Sequence, residues 1–88
     1  MSPTDADAEN IRRDVRQHIL EQYLDGASPD ELEDDTPLIT GGILDSISTV
    51  MLVSFLESRF GVEFQAHEMG VDHLDTVTRI VETVKSKV

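Results

Sequence analysis

The chain has 88 residues, 39% of them apolar and none of them cysteine, which suits one small folded core and excludes disulfides, thiolate metal sites and a thiol nucleophile of its own. Eighteen acids against seven bases give a formal charge of −11, a field that repels nucleic acid and anionic lipid and favours partners with positive patches. No apolar run approaches the ~18 residues of a membrane span, and the acidic start Met1-Ser2-Pro3-Thr4-Asp5 is unlike a signal peptide, so a single cytoplasmic, monomeric domain over residues 1–88 is expected.

Ile11, Val15, Ile19 and Tyr23 recur every fourth residue beside Leu20 and Leu24, which predicts a helix from about Asp5 to Leu24. Thr4 suits its cap, Asp5, Asp7 and Glu9 suit the positive end of its dipole, and Gly26 suits the left-handed position after its last turn. Between Asp25 and Asp45 the composition turns to Gly, Pro, Asp and Thr, with six acids and no base from Asp25 to Asp35. This reads as a long surface connection. Ser28-Pro29-Asp30-Glu31 has the pattern of a capping box and predicts a short helical turn that carries Leu32 inward, with Leu38, Ile39, Ile43 and Leu44 as further anchors.

A second helix is predicted from Ser46 to Phe60, stopped by Gly61. At 100° per residue, Thr49, Leu52, Val53, Leu56 and Phe60 share a core-facing arc, while Ile47, Met51, Ser54 and Ser58 lie opposite. Val62-Glu63-Phe64 reads as extended and residues 66–74 as one irregular short helix. Val77, Ile80, Val81, Val84 and Val88 mark a last amphipathic helix from Thr76, with Asp75 as its cap and Lys85 and Lys87 at its negative end. The expected fold is all-α: a small bundle of three main helices and one or two short ones, with a long loop between the first two helices.

Most self-contained chemistries find no support in these residues. An EF-hand register started at Asp30 puts Leu32 at the third position and Gly41 at the twelfth, and His18, His67 and His73 form no i, i+4 pair, so no metal site is expected. There is neither a Gly-x-Ser-x-Gly elbow nor a P-loop, since Gly41-Gly42 lacks the later Gly and Lys. What remains is Gly42-Ile43-Leu44-Asp45-Ser46-Ile47, a serine at the mouth of a helix. On its own, this pair is read either as a plain N-cap by Asp45 or Ser46, or as Ser46 exposed to accept a group from another enzyme.

Leu38-x-x-x-Gly42-x-x-Asp45-Ser46-Ile47, followed by Leu52, Leu56-Glu57, Phe60-Gly61-Val62, Phe64 and Thr76-Val77, resembles the acyl and peptidyl carrier protein family over nearly the whole chain, from about residue 8 to 88. The resemblance implies that Ser46 is the attachment site of 4'-phosphopantetheine, transferred from coenzyme A by a phosphopantetheinyl transferase, and that Asp45 helps hold the Mg²⁺ of that reaction in the joint site. It also implies a carrier that is not itself an enzyme: the added thiol bears cargo as a thioester, and a downstream acyl or aminoacyl acceptor enzyme takes it. The second helix carries only Glu57 and Arg59 as charges, unlike the acid-lined helix of fatty acid carriers. Gly42-Ile43-Leu44-Asp45-Ser46 is similar to stand-alone carriers, the D-alanine carrier group among them, that are charged by adenylate-forming amino acid or acyl ligases.

Ile47, Met51 and Ser54 are the expected docking face for such a ligase, against the alternative that Met51 and Phe55 pack under the long loop. Two competing functions stay open: a carrier of fatty acid or polyketide synthesis, and a non-covalent acidic helical interaction module in which Ser46 is a mere cap.

Overall fold

The computed structural model describes residues 3–24 and 28–88, with side chains from residue 8 onward except residue 29. Four helices follow in chain order: α1 (Pro3–Tyr23), α2 (Ser46–Phe60), α3 (Val71–Leu74) and α4 (Val77–Lys85). Two 3-10 turns, Pro29–Glu31 and Ala66–Glu68, lie in the connections, and among the described residues there is no strand. The all-α bundle expected from the apolar spacing is the observed fold. No helix among the described residues is long and apolar enough to cross a membrane.

Helix α1 begins at Pro3, two residues before the expected Asp5, and so takes Thr4 inside the helix instead of leaving it ahead as a cap. A proline at the first helical position has its φ already set and loses no hydrogen bond there. The expected dipole roles of the Asp5 and Asp7 side chains, and the left-handed Gly26, lie outside the described residues. Further along, the fourfold spacing buries Ile11, Val15 and Ile19 completely or nearly so. They meet Val77, Ile80 and Val84 of α4, and Leu52, Val53 and Leu56 of α2 complete the core. Val88, the last member of the predicted α4 stripe, is instead exposed, because the helix ends at Lys85.

The long connection is held down along its length. The Pro29–Glu31 turn forms with the Glu31 carboxylate accepting from the Ser28 N–H at 3.1 Å, and Leu32 is buried behind it. Asp34 is gripped from both sides: Arg12 and Arg16 of α1 donate to its carboxylate at 3.3 and 3.0 Å, and Thr78 N–H of α4 donates to its carbonyl at 3.0 Å. Leu38 and Leu44 are fully buried, with Ile39 and Ile43 packed half-buried beside them.

Two features of the C-terminal half differ from expectation. Residues 66–74 form a 3-10 turn and the separate one-turn helix α3, broken at Gly70. The cap of α4 is Thr76, whose hydroxyl accepts from Arg79 N–H at 3.1 Å, and Asp75 turns away to bind the long loop. Either residue suits a cap; the unpaired N–H groups of the neighbouring loop claim the stronger acceptor. Lys87 reaches back from the chain end to Glu68 at 2.7 Å and lies over the Phe64 ring, which ties the C-terminus to the 3-10 turn.

Candidate functional site

The start of α2 is built by the residues before it. A Cβ on Gly41 would lie 2.2 Å from the Pro37 carbonyl oxygen, and Gly42 has φ +84°, so both positions demand glycine. The glycine pair is a fixed turn, with Gly42 N–H donating to Ile39 O at 3.1 Å and Leu44 N–H to Leu38 O at 2.8 Å. The chain then leaves the buried Leu44 in extended conformation through Asp45 and enters the helix.

Asp45 is the N-cap. Its Oδ1 accepts from Ser48 N–H at 2.7 Å, and its carbonyl accepts from the N–H and hydroxyl of Thr49 at 2.9 and 2.7 Å. Bonds from the Ser48 N–H, then the Ser48 hydroxyl, hold the Asp45 carboxyl below its usual range, so it is ionised at neutral pH. Ser46 is therefore released from capping. It is the first helical residue, it is exposed, and among the described residues no hydrogen bond engages its hydroxyl.

Beside Ser46 lies an open groove of about 560 Å³ lined by Ile39, Leu44, Thr49 and Val50 and by Met69, Gly70 and Val71. Large apolar side chains are exposed around it: Ile47 at 73%, Met51 at 58%, Val50 at 52% and Val71 at 39%. Ser54 and Ser58 are exposed on the same helix. Its two charges are both engaged elsewhere, Glu57 with the Phe64 N–H at 2.9 Å and Arg59 with Asp14 of α1 at 2.8 Å. The outer face of α2 is thus neutral and apolar. Phe55 packs away from it, its ring stacked on His18 of α1 at 3.8 Å between centroids and 6° between planes.

Reading by residue type singled out Ser46, Asp45, Ile47, Met51 and Ser54, and the fold places all five on the first three turns of α2 and its cap. Val50, Val71, Asp75 and Tyr23 were not singled out. Val50 and Val71 carry no signal beyond being apolar. Tyr23 reads as a core residue, yet its hydroxyl donates to the Ser48 carbonyl at 3.3 Å, which fastens the end of α1 to the first turn of α2. Burial raises the Tyr23 pKa, and the Asp45 charge adds to that rise. No group of three acidic, histidine or cysteine side chains able to hold a metal ion exists among the described residues. His67 and His73 approach each other edge to face at 6.2 Å between ring centroids.

No protein-family model matches the chain. A D-alanyl carrier protein of Streptococcus thermophilus (strain ATCC BAA-491 / LMD-9) is 36% identical over 75 residues, a match that covers 85% of this chain and 91% of that protein. The chain belongs to the phosphopantetheine carrier protein family. A D-alanyl carrier protein of Streptococcus sanguinis (strain SK36) is likewise 36% identical to this carrier over 75 residues, again 85% and 91% of the two chains. One from Streptococcus pyogenes serotype M5 (strain Manfredo) is 43% identical over 51 residues, 58% of this carrier and 65% of that protein. Among solved structures, a chain described under "Crystal structure of FAD-dependent dehydrogenase" superposes with a TM-score of 0.71 at 33% identity, covering 80% of the carrier and 97% of that chain.

The residues at the start of α2 fit the prosthetic group for which the family is named. A phosphodiester needs a hydroxyl with no competing bond, which Ser46 offers. An arm leading away from it needs a trough with apolar walls and some polar groups, which the groove beside Ser46 offers.

Proposed function

We propose that this carrier holds an aminoacyl group as a thioester on 4'-phosphopantetheine attached to Ser46, loaded by an adenylate-forming amino acid ligase. The observation that carries the reading is the exposed, unbonded Ser46 hydroxyl at the first position of α2, freed by the Asp45 cap, in a chain similar to D-alanyl carrier proteins. In the attachment step the Ser46 oxygen attacks the phosphorus of the coenzyme A pyrophosphate that bears the pantetheine arm. The new O–P bond forms as the bond to the departing adenosine 3',5'-bisphosphate breaks, and the hydroxyl proton passes to a base of the phosphopantetheinyl transferase. The ionised Asp45 carboxylate would help hold the Mg²⁺ of this step in the joint site, where the ion would offset the charge of the pyrophosphate. The carrier performs no chemistry itself. Its arm contributes the thiol that the Cys-free chain lacks, and tethering gives each docked enzyme a high effective concentration of cargo.

Ile47 and Met51 form the docking centre for the ligase, with Ser54 small enough to leave them accessible. The neutral outer face of α2 favours such a ligase over the partners of fatty acid or polyketide synthesis, for which an acid-lined helix would be expected. The experiment is to convert the protein to its phosphopantetheine form, add ATP, a candidate ligase and its amino acid, and follow hydroxylamine-labile label. Loading by a ligase and not by a malonyl transferase supports the reading; efficient malonyl loading alone assigns the chain to the fatty acid or polyketide class.

The likeness to a chain from the FAD-dependent dehydrogenase structure favours a second, compatible reading of the downstream step. Because 80% of this chain accounts for nearly all of that one, that chain is also small. We propose a flavoprotein dehydrogenase as one enzyme that receives the loaded carrier, taking a hydride and a proton from the tethered acyl group into its flavin. Anaerobic loss of oxidised-flavin absorbance on adding the loaded carrier, and not on adding free amino acid, tests it.

A further inference from the structure

We infer that Asp75 is the positioning residue for transfer onto Ser46, acting through the segment from Leu38 to Leu44 that leads into α2; the inference rests on attachment at Ser46 as proposed above. Asp75 sits between α3 and α4, buried at 8% exposure, yet it caps neither helix with its side chain. Its carboxylate faces the long loop. Oδ1 accepts from the N–H groups of Ile39 and Thr40 at 2.8 and 2.9 Å, and Oδ2 accepts from the Thr40 hydroxyl at 2.9 Å. Its own carbonyl accepts from Leu38 N–H at 2.6 Å. Four bonds from one residue therefore fix three consecutive loop residues.

Those residues hand the geometry on to Ser46 without a gap. Leu38 O holds Leu44 N–H, Ile39 O closes the glycine turn through Gly42 N–H, and Leu44 is followed by the Asp45 cap that binds Ser48 and Thr49. Ile39, held directly by Asp75, also lines the groove beside Ser46. A carboxylate that accepts from two backbone donors and a hydroxyl is a rigid anchor, because three charge-assisted bonds must break together before the loop can shift. The hydroxyl of Ser46 must meet a phosphorus atom bound in another protein, and orientation errors on the scale of 1 Å are costly in such a step. Ile47 and Met51, the side chains proposed for docking, are exposed on the helix whereas Asp75 is buried, so their contribution to binding is read separately, in KM and not in kcat.

The test uses the full chain, coenzyme A and a broad-specificity phosphopantetheinyl transferase, and measures kcat and KM for the carrier at a temperature where each variant is folded by its melting curve. Asp75→Asn is expected to lower kcat on the order of tenfold with KM within about twofold. Thr40→Val, which deletes one of the bonds, should lower kcat by a smaller factor, and Thr40→Ser, which restores the hydroxyl, should return it to the parent value. A purely structural role would lower the melting temperature and leave kcat of the folded protein unchanged, and that result overturns the inference. So does Thr40→Ser as slow as Thr40→Val. If Asp75→Asn gives no cooperative melt, the Thr40 pair decides alone. A parent protein that accepts no phosphopantetheine overturns the attachment at Ser46 and this inference with it, whereas a modified parent with unaffected folded variants overturns this inference only.

Discussion

Asp45 and Ser46 divide two tasks that either side chain could take: the aspartate satisfies the first-turn N–H of Ser48, and the serine hydroxyl is left facing out. Removing the cap should therefore cost stability, and removing the hydroxyl should not. Asp45→Ala is expected to lower the midpoint of chemical denaturation, and Ser46→Ala to leave it close to the parent value. Equal losses would mean that Ser46 shares the cap. His18, stacked on Phe55, supplies a pH dependence of known sign. Burial lowers its pKa, and Glu21 offsets that only in part, so the folded protein takes up the proton at lower pH than the unfolded chain. Its contribution to stability is full above the unfolded value near 6.5 and is lost as pH falls through the folded value. The melting temperature of the parent protein should fall relative to that of His18→Phe between roughly pH 7 and pH 5; parallel curves would contradict it. The titration of the many surface carboxylates is common to both proteins and drops out of that difference.

Helix α2 is apolar on more than one side, and only its register against neighbours decides which side is core. Leu52 and Leu56 are fully buried, whereas Met51 is 58% exposed. Leu56→Ala and Leu52→Ala should each cost about 2–5 kcal/mol, and Met51→Ala less than about 0.5 kcal/mol, in urea titrations. Comparable losses for Met51 and Leu56 would refute the two-faced helix. The bounds of α2 were readable because a cap and a left-handed Gly61 at φ 67° bracket one periodic run. The burial of Ile11, Val15 and Ile19 was readable from their fourfold spacing alone. The role of Asp75 was not readable, since Asp75-Thr76 offers two equivalent caps in sequence and the choice is made by N–H groups 35 and 36 residues away. Nor was the stacking of His18 on Phe55, which depends on how α1 and α2 cross.

Across the molecule, charge and apolar surface are kept apart. The first 45 residues hold twelve acids and three bases, and the three arginines among them lie on α1, two of them on Asp34. The face beside Ser46 is the apolar one, with Ile47, Val50, Met51 and Val71 accounting for four of the five exposed large apolar side chains among the described residues. Half of that surface was legible in advance: Ile47 and Met51 fall opposite the core arc of a single helix, but Val71 joins them only because α3 packs across the groove. Acidic loops far from the site should govern encounter rate and its salt dependence, and the apolar face should govern residence time. Met51→Glu is accordingly expected to abolish loading by the ligase while the melting curve stays within a few degrees of the parent. Unchanged loading would remove Met51 from the docking face. The central claim is that this chain is a carrier by virtue of one hydroxyl, and peptide mapping by tandem mass spectrometry after incubation with coenzyme A and a broad-specificity phosphopantetheinyl transferase tests it most directly. The account predicts one phosphopantetheine per chain, located on Ser46, present in Ser48→Ala and absent from Ser46→Ala. An unmodified parent protein, or a modification that survives in Ser46→Ala, would contradict it.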